Sequence, residues 1–219
     1  RLEIDIIPPC VNRSGATFGV KDGKIVYALG ALKNVGVEAM KLIVTARENG
    51  PFKDLLDFAR RVDLKRVGKR PLEMLARAGA FDGLDSNRAR VLASLDVLVS
   101  YATATHEARA SSQVSLFGEA GEDLPAPRLP VAEDWLATER LAQEHQAVGF
   151  YLSGHPLDDY MGPLKRQRPP VLTLAELHAQ TARTGASIGK IAGTVASVQS
   201  RKSARGNRFA FVALSDPSG

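Results

Sequence analysis

Two glycine-centred turns, each followed by an amphipathic segment and flanked by cations, are the residues of this sequence best suited to binding an anion. The first turn lies in Leu29–Gly36, where Lys33 and Asn34 precede Gly36. A glycine allows a backbone geometry and a close approach that a side chain would block. The free N–H groups of the next helix can then point at a phosphate. The alternative is an ordinary helical hairpin with a glycine turn, which is common.

A second turn repeats this arrangement about 32 residues further along the chain, around Gly68. Pro71 follows it at a position where a helix can begin without losing a hydrogen bond. Cations flank the turn on both sides: Lys65, Arg66, Lys69 and Arg70. They would repel one another unless an anion binds at this helix N-terminus. A solvated charged loop is the alternative, and the occurrence of two such units in tandem favours phosphate binding.

The elements that must position these turns are mainly helical. Apolar residues at helical spacing predict helices over 37–47, about 52–61, roughly 69–79 and from about 87 past 101. Before them, Asp22-Gly23 between two short apolar runs predicts a β-hairpin. We therefore predict a mainly α fold with small β parts, in which a β-hairpin region, 1–28, precedes a tandem helix-hairpin-helix domain, 29–112.

A short peptide that could anchor the chain to a partner follows this domain at residues 113–117. Leu116 and Phe117 can enter an apolar pocket while the Gln113 amide forms hydrogen bonds at its rim. The alternative is that these side chains fold back on the local core. The next residues, 118–134, are rich in proline and acidic residues, which predicts an exposed linker.

The rest of the chain is predicted to be a helical connector, 135–184, and a strand-rich segment, 185–219. This last segment resembles the start of a β-barrel, because two strands cannot form a stable domain alone. Its basic turn carries Arg201, Lys202, Arg205 and Arg208 beside Phe209 and Phe211. In an OB-fold, such a loop with adjoining aromatic rings can bind single-stranded DNA.

Charge is divided unevenly along the 219 residues, although the net charge is only +5. Residues 1–110 hold 18 Lys and Arg against 13 Asp and Glu. Residues 111–160 hold 2 against 9, and residues 161–219 hold 9 against 2. The two basic blocks favour polyanion partners, and the acidic block between them suits solvent or a protein partner.

Several kinds of chemistry are disfavoured by the composition. Cys10 is the single cysteine, so the sequence has no internal disulfide and no thiolate cluster for a metal. No Asp-x-Asp pair that could bind two Mg²⁺ ions occurs, and His155 has no second ligand at metal spacing. No apolar run reaches the roughly 18 residues that could span a bilayer, so we expect no membrane partner. The use of a single cysteine fits a cytoplasmic protein best. Both ends are typical of an excised segment.

The motifs in their order resemble the alpha subunit of bacterial DNA polymerase III. The resemblance covers essentially the whole chain and is carried by these runs: Val11-Asn-Arg-Ser14, Ile25–Gly36, Gly50-Pro-Phe-Lys-Asp-Leu55, Ala78-Gly-Ala-Phe-Asp82 and Leu152-Ser-Gly-His-Pro-Leu157. It implies a segment that runs from the end of the fingers, through a clamp-binding helix-hairpin-helix region, to the start of an OB-fold.

The resemblance also implies a function. It assigns double-stranded DNA to the two hairpins, the beta sliding clamp to Gln113, Leu116 and Phe117, and single-stranded template to the basic turn near the C-terminus. The parent protein would be a DNA-directed DNA polymerase that also contacts other replicase subunits. This segment itself would be non-catalytic and without a cofactor, since Mg²⁺ is expected only in a palm domain outside it.

Three alternatives remain open from the sequence. A stand-alone helix-hairpin-helix module of DNA repair would need a catalytic constellation, and the sequence offers none. An error-prone polymerase relative would share the hairpins, although the intact Gln113–Phe117 peptide favours the replicative form. A protein-interaction scaffold with an incidental basic face is the third. We expect a monomer, because the predicted partners are other molecules.

Overall fold

The computed structural model describes residues 5–114 and 124–218, and the chain divides into two compact units between Leu152 and Ser153. The first unit carries a small sheet followed by six helices in its described part. The second combines two helices with short strands and one long hairpin. The predicted connector over 135–184 is therefore divided between the units, because the chain packs its first helix with the preceding domain.

The small sheet at the start of the chain contains the predicted hairpin. Its strands are β1, Ile6–Ile7, β2, Gly19–Lys21, and β3, Lys24–Val26, in the order β1-β3-β2. Strand β3 pairs in parallel with β1 and antiparallel with β2. The turn residues Asp22 and Gly23 have φ values of 51° and 73°, and positive φ at both positions suits the twist of a two-residue hairpin. The hairpin prediction is confirmed.

Six helices follow in the first unit. Their bounds are α1, Val37–Ala46, α2, Leu55–Arg61, α3, Leu64–Val67, α4, Lys69–Arg77, α5, Arg88–Val114, and α6, Ala137–Val148. Short 3-10 segments cover Leu29–Ala31 and Arg47–Asn49. Sequence chemistry sets several boundaries: the Asp54 carboxylate accepts the Asp57 N–H at 2.7 Å at the start of α2, and Asp63 accepts the Arg66 N–H at 3.1 Å at the start of α3. The mainly helical fold class is confirmed.

The core of the first unit lies among these helices. Phe58 on α2 is fully buried and makes edge-to-face ring contacts with Phe52 and Phe81, at centroid distances of 5.0 and 5.1 Å. Met40 and Ile43 of α1 are buried at the helical spacing that the sequence indicated. Burial of these apolar side chains is the main favourable contribution to stability.

Residues 124–136 form neither helix nor strand, as the proline content indicated, but they lie against the first unit. Leu124 and Leu129 pack on its core. The Tyr101 hydroxyl donates to the Leu124 carbonyl at 3.4 Å, and the Asn87 side-chain amide donates to the Ala132 carbonyl at 2.7 Å. The described part of the predicted linker, 124–134, is therefore a strap that packs on the first unit at Leu124 and Leu129 and stays exposed at other positions, such as Val131.

The second unit begins with α7, Asp158–Lys165, and α8, Leu174–Thr184, which flank β4, Val171–Leu172. Strand β5, Lys190–Ile191, pairs in parallel with β4. A long antiparallel hairpin follows, made of β6, Thr194–Lys202, and β7, Arg208–Ser215. This strand-rich end agrees with the predicted pattern, and the OB-fold itself stays a prediction. Among the described residues, no helix is both long and apolar enough to cross a bilayer.

Candidate nucleic-acid interface

Hairpin 1, defined here as Leu32–Gly36, connects the first 3-10 segment to α1. The Val35 N–H donates to the Leu32 carbonyl at 3.2 Å, and Asn34 adopts a left-handed φ of 59°. Asn tolerates this conformation better than most residues, which explains its place in the turn. Lys33, Asn34 and Gly36 are all exposed.

Gly36 itself has an ordinary backbone conformation, with φ −85° and ψ 139°. No described atom lies within 4 Å of the position that a Cβ would occupy. The expectation that Gly36 is required for a special backbone geometry is therefore wrong, because Asn34 makes the left-handed turn instead. The expectation that Gly36 lets an external group approach the start of α1 remains a prediction.

Hairpin 2, defined here as Val67–Lys69, connects α3 to α4 through a glycine of a different kind. Gly68 has φ 90° and ψ 150°, a conformation that side chains strongly disfavour. Pro71 is the third residue of α4, where its missing N–H breaks no helical hydrogen bond. The first turn of α4 contains no acidic residue.

Both α1 and α4 begin without a side-chain cap. Within residues 5–114 and 124–218, no side chain accepts a hydrogen bond at their N-caps, Gly36 and Gly68. The first N–H groups of a helix have no partner inside the helix and carry its positive partial charge. These two N-termini can therefore offer N–H donors to an anion, unlike those of α2 and α3, where an aspartate occupies the same position.

The four cations around hairpin 2 differ in what they contact. Lys69 forms an ion pair with Asp96 of α5, with Nζ and Oδ1 2.7 Å apart. The hydrogen bond to Asp96 and its charge raise the pKa of Lys69 above its ordinary value. Arg66 instead lines a surface groove beside Lys41 of α1 and His106 of α5. The remaining two, Lys65 and Arg70, are exposed.

Hairpin 1 is held by the C-terminal end of α6, a contact that sequence reasoning missed. The Lys33 N–H donates to the Ala147 carbonyl at 2.8 Å. The Lys33 side chain lies against Gly149, so that a Cβ added there would be 2.9 Å from the Lys33 Cε. Gly149, with φ 103°, is a typical glycine signal for a helix end, but nothing in the sequence links it to Lys33.

Helix α6 is anchored to the start of α5 through a largely buried charge network. The Arg88 guanidinium contacts Asp82 at 2.8 Å and the buried Glu144 of α6 at 3.6 Å. Burial lowers the pKa of Arg88, but the hydrogen bonds and charges of these two carboxylates outweigh it and raise the pKa above its ordinary value. Gly79 leaves the space for the guanidinium, because a Cβ there would be 2.2 Å from it.

Cations and aromatic rings meet on the β6–β7 hairpin of the second unit. The exposed rings of Phe209 and Phe211 are 5.5 Å apart, and the Arg201 guanidinium lies 5.8 Å from the Phe211 ring centre. Lys202 pairs with Arg208 across the two strands. Arg205 lies in the turn between them. The hairpin thus places Arg201, Phe209 and Phe211 on one face, whereas the adjacent pair of Lys202 and Arg208 points to the other face.

The predicted clamp-binding peptide falls largely outside the described residues. Helix α5 continues to Val114, which places the backbone of Gln113 in its last turn. Leu116 and Phe117 lie outside the described residues. In the described ranges there is no group of three or more His, Cys, Asp or Glu residues that could hold a metal ion.

Comparison with known proteins first defines the class of this fold. Residues 3–91 match a family model described as "Helix-hairpin-helix motif". The match contains both hairpins and the helices α1 to α4, and it ends within α5. The glycine-capped helix starts found in the structure are therefore those of a helix-hairpin-helix protein.

Three relatives then identify the family. The chain is 49% identical over 220 residues to the DNA polymerase III subunit alpha of Caulobacter vibrioides, covering 100% of this chain and 19% of that protein. The subunit of Vibrio cholerae is 38% identical over 223 residues, covering 100% and 19%. That of Bacillus subtilis is 36% identical over 217 residues, covering 99% and 19%. The chain belongs to the DNA polymerase III alpha family and spans about a fifth of the length of these relatives.

Proposed function

We propose that this segment binds duplex DNA through its two hairpins, which contact backbone phosphates without reading the base sequence. The observation that carries the proposal is the start of α1 and α4 at exposed or half-exposed glycines without side-chain caps. Uncapped helix N–H groups suit a phosphate oxygen, and backbone contacts position a protein on DNA without specifying bases. The helix-hairpin-helix match over residues 3–91 supports the same conclusion.

The exposed cations beside each hairpin add the charge that phosphate binding requires. Lys33 belongs to hairpin 1, Arg66 directly precedes hairpin 2, and Lys69 is its last residue. A lysine or arginine that neutralises a phosphate releases condensed counterions, which makes binding weaken as salt increases. Asp54 and Asp63 at the starts of α2 and α3 would repel a phosphate, so the N-termini of these two helices are not part of the proposed contact.

Duplex binding can be tested by fluorescence anisotropy with two duplexes of unrelated sequence, each titrated over a range of salt concentrations. Lys33→Ala, Arg66→Ala and Lys69→Ala should each weaken binding to both duplexes equally and lower the salt exponent by about 0.9. Lys53→Ala is the matched control, because Lys53 is an exposed lysine just before the aspartate-capped α2. A loss confined to one duplex sequence would contradict backbone binding.

Tethering to a sliding clamp is the second proposed activity of the segment. It rests on the Gln113–Phe117 peptide and on membership of a family of replicative polymerase subunits. A short peptide with two apolar anchors gains affinity by filling a pocket on its partner. The tether would then raise the effective concentration of the polymerase at the primer end.

Clamp binding can be measured by titrating a bacterial sliding clamp with the chain and with a variant in which Gln113, Leu116 and Phe117 are all alanine. The native chain should bind at micromolar strength or better, and the triple variant should not bind detectably. Changing Gln167 and the exposed Val131 to alanine provides a control for loss of exposed polar and apolar groups elsewhere. Failure of the native chain to bind would refute the tethering proposal and leave duplex binding untouched.

The β6–β7 hairpin supports a third activity, contact with single-stranded template. Exposed aromatic rings beside cations form the surface on which unpaired bases stack. Replacing both Phe209 and Phe211 by leucine should weaken binding to a single-stranded oligonucleotide and leave duplex affinity unchanged. Leucine retains apolar bulk while removing the ring, so an unchanged single-strand affinity would argue against base stacking.

The complete protein would be a DNA-directed DNA polymerase, a nucleotidyltransferase of DNA replication, by analogy with its relatives. We propose no catalytic residue within this segment, and Mg²⁺ would act in a domain outside it. The segment would hold duplex and clamp while the chemistry proceeds elsewhere in the polypeptide. The prediction is checked by a nucleotide-incorporation assay on the segment alone, in which synthesis would contradict it.

A further inference from the structure

Helix α6 contacts hairpin 1 although it lies beyond residues 3–91, which match the helix-hairpin-helix model. The Ala147 carbonyl accepts the Lys33 N–H at 2.8 Å, which fixes the backbone of the hairpin just before Asn34. The Lys33 side chain also lies at this helix end, where the partial negative charge of a helix C-terminus favours a cation. Lys33 remains exposed there, so its ammonium group is accessible to a phosphate.

The middle of α6 contacts the helix that follows hairpin 2. The Arg77 guanidinium at the end of α4 donates to the side-chain oxygens of Gln143 and Gln146. The buried contact of Glu144 with Arg88 fixes the same stretch of α6 against α5. Helix α6 therefore contacts hairpin 1 and also α4, the helix that follows hairpin 2.

We propose that the C-terminal end of α6 supports the duplex-binding hairpin 1, and that Gly149 is a positioning residue that determines where the Lys33 ammonium lies. The inference rests on the proposed duplex binding and extends it to residues outside the two hairpins. Gly149 leaves the space in which the end of the Lys33 side chain is placed, since an added Cβ would be 2.9 Å from Cε and 3.3 Å from Nζ. Because these atoms end a flexible side chain, an alanine at this position would displace the ammonium group rather than the backbone of hairpin 1.

The test compares Gly149→Ala with Gly185→Ala. Both glycines end a helix with positive φ, 103° at Gly149 and 78° at Gly185, so both alanines impose strained backbone. They differ in their surroundings, because a Cβ at Gly185 would meet no described atom within 4 Å. Duplex affinity is measured for both variants over a range of salt concentrations, and melting curves verify that each is folded.

We expect Gly149→Ala to weaken duplex binding about fivefold and to lower the salt exponent by up to about 0.9, the value for one lost phosphate contact. Gly185→Ala should bind like the unchanged chain. In a Lys33→Ala background, Gly149→Ala should have no further effect, because the two changes remove the same contact. The ¹³Cε resonance of Lys33 should shift in Gly149→Ala without any DNA present.

Two results would overturn the proposal without affecting duplex binding itself. One is a folded Gly149→Ala variant with unchanged affinity and salt exponent. The other is full additivity of the Gly149 and Lys33 changes, which would show that Gly149 acts through something other than the lysine. If Gly149→Ala does not fold, Gly149→Asn takes its place, because asparagine tolerates positive φ better, and an unchanged affinity and salt exponent in that variant overturn the proposal. Absence of duplex binding by the unchanged chain would overturn the proposed function as well.

Discussion

Both hairpins place a lysine beside a helix N-terminus that has no side-chain cap, but different residues make the turn in each. Hairpin 1 turns at Asn34 and begins α1 at a glycine with ordinary φ, whereas hairpin 2 turns at Gly68 itself, with φ 90°. Lys33 rests on the backbone of Gly149, and Lys69 is paired with the Asp96 carboxylate. In hairpin 2 the backbone conformation thus favours a glycine, while the backbone conformation and described surroundings of Gly36 in hairpin 1 do not require one.

The largest expected difference between Gly68 and Gly36 is in the free energy of unfolding that is lost when each is replaced by alanine. Gly68→Ala places a side chain in a strained conformation and should lower the free energy of unfolding by about 1–3 kcal/mol. Gly36→Ala should lower it by less, about 1 kcal/mol at most, because its backbone conformation is open to any residue and only the preference for glycine over alanine at an N-cap is lost. Urea denaturation of both variants measures the difference, and equal losses would remove the distinction between the hairpins.

A smaller effect concerns the helix that leads into each hairpin. Asp63 caps α3 before hairpin 2, while the 3-10 segment before hairpin 1 has no side-chain cap among the described residues. Asp63→Ala should therefore lower the free energy of unfolding by about 1 kcal/mol. Asp63→Asn, which retains an accepting oxygen, should recover most of it in the same denaturation experiment. A loss shared by both variants would indicate that charge rather than capping matters.

Helix α8 of the second unit has a side-chain cap, unlike α1 and α4. The stability that this cap contributes depends on pH. At the start of α8, Thr173 and Glu176 form a reciprocal capping box. A hydrogen bond from Lys165, followed by those at Thr173, lowers the pKa of Glu176 from 4.5 to about 2. Since the folded-state pKa is lowered, its stabilising contribution is present above about pH 4.5 and is lost as the pH falls toward 2.

Acid titration of Glu176→Gln beside the unchanged chain measures this contribution. The glutamine variant should have the flatter loss of stability between about pH 5 and pH 2, because it has no carboxylate to protonate there. Glu139→Gln is a suitable control, as an exposed glutamate in the first turn of α6. Identical acid profiles for the unchanged chain and Glu176→Gln would contradict the lowered pKa.

The smallest expected effect concerns the lysine of hairpin 2. The Asp96 carboxylate competes with a phosphate for Lys69, so Asp96→Asn should tighten duplex binding by roughly twofold to fivefold at low salt. The gain should shrink as salt increases and should vanish when Lys69 is alanine. Unchanged affinity in Asp96→Asn would mean that Lys69 does not meet the phosphate backbone.

Local patterns predicted much of the fold from sequence. The Asp22-Gly23 turn, the stripe of Met40 and Ile43, and the glycine at Gly68 each act through neighbours in the chain, and all have the predicted place in the structure. The contact between Lys33 and Gly149 joins distant parts of the sequence, as does the pair of Lys69 with Asp96. No spacing rule brings such residues together, because only tertiary packing does so.

The segment 124–134 and the turn at Gly36 show the same limit of prediction from sequence. Proline content correctly indicated the absence of helix in 124–134, but it could not indicate that Leu124 and Leu129 would find apolar partners on the core. For Gly36, residue type suggested a special backbone conformation, whereas the neighbouring Asn34 makes the turn. A glycine in a turn motif indicates that some residue of the turn has an unusual backbone conformation, but it does not identify that residue.

The hydrogen bond between Lys33 and Ala147 also has a consequence for the order of events during synthesis. Its two partners lie near opposite ends of the first unit in the sequence, so hairpin 1 cannot form this bond until α6 has left the ribosome. Contacts between such distant residues form late, because a long loop must close first. Hairpin 2 depends on nearer neighbours, and we therefore expect it to be complete while the nascent chain is still being extended.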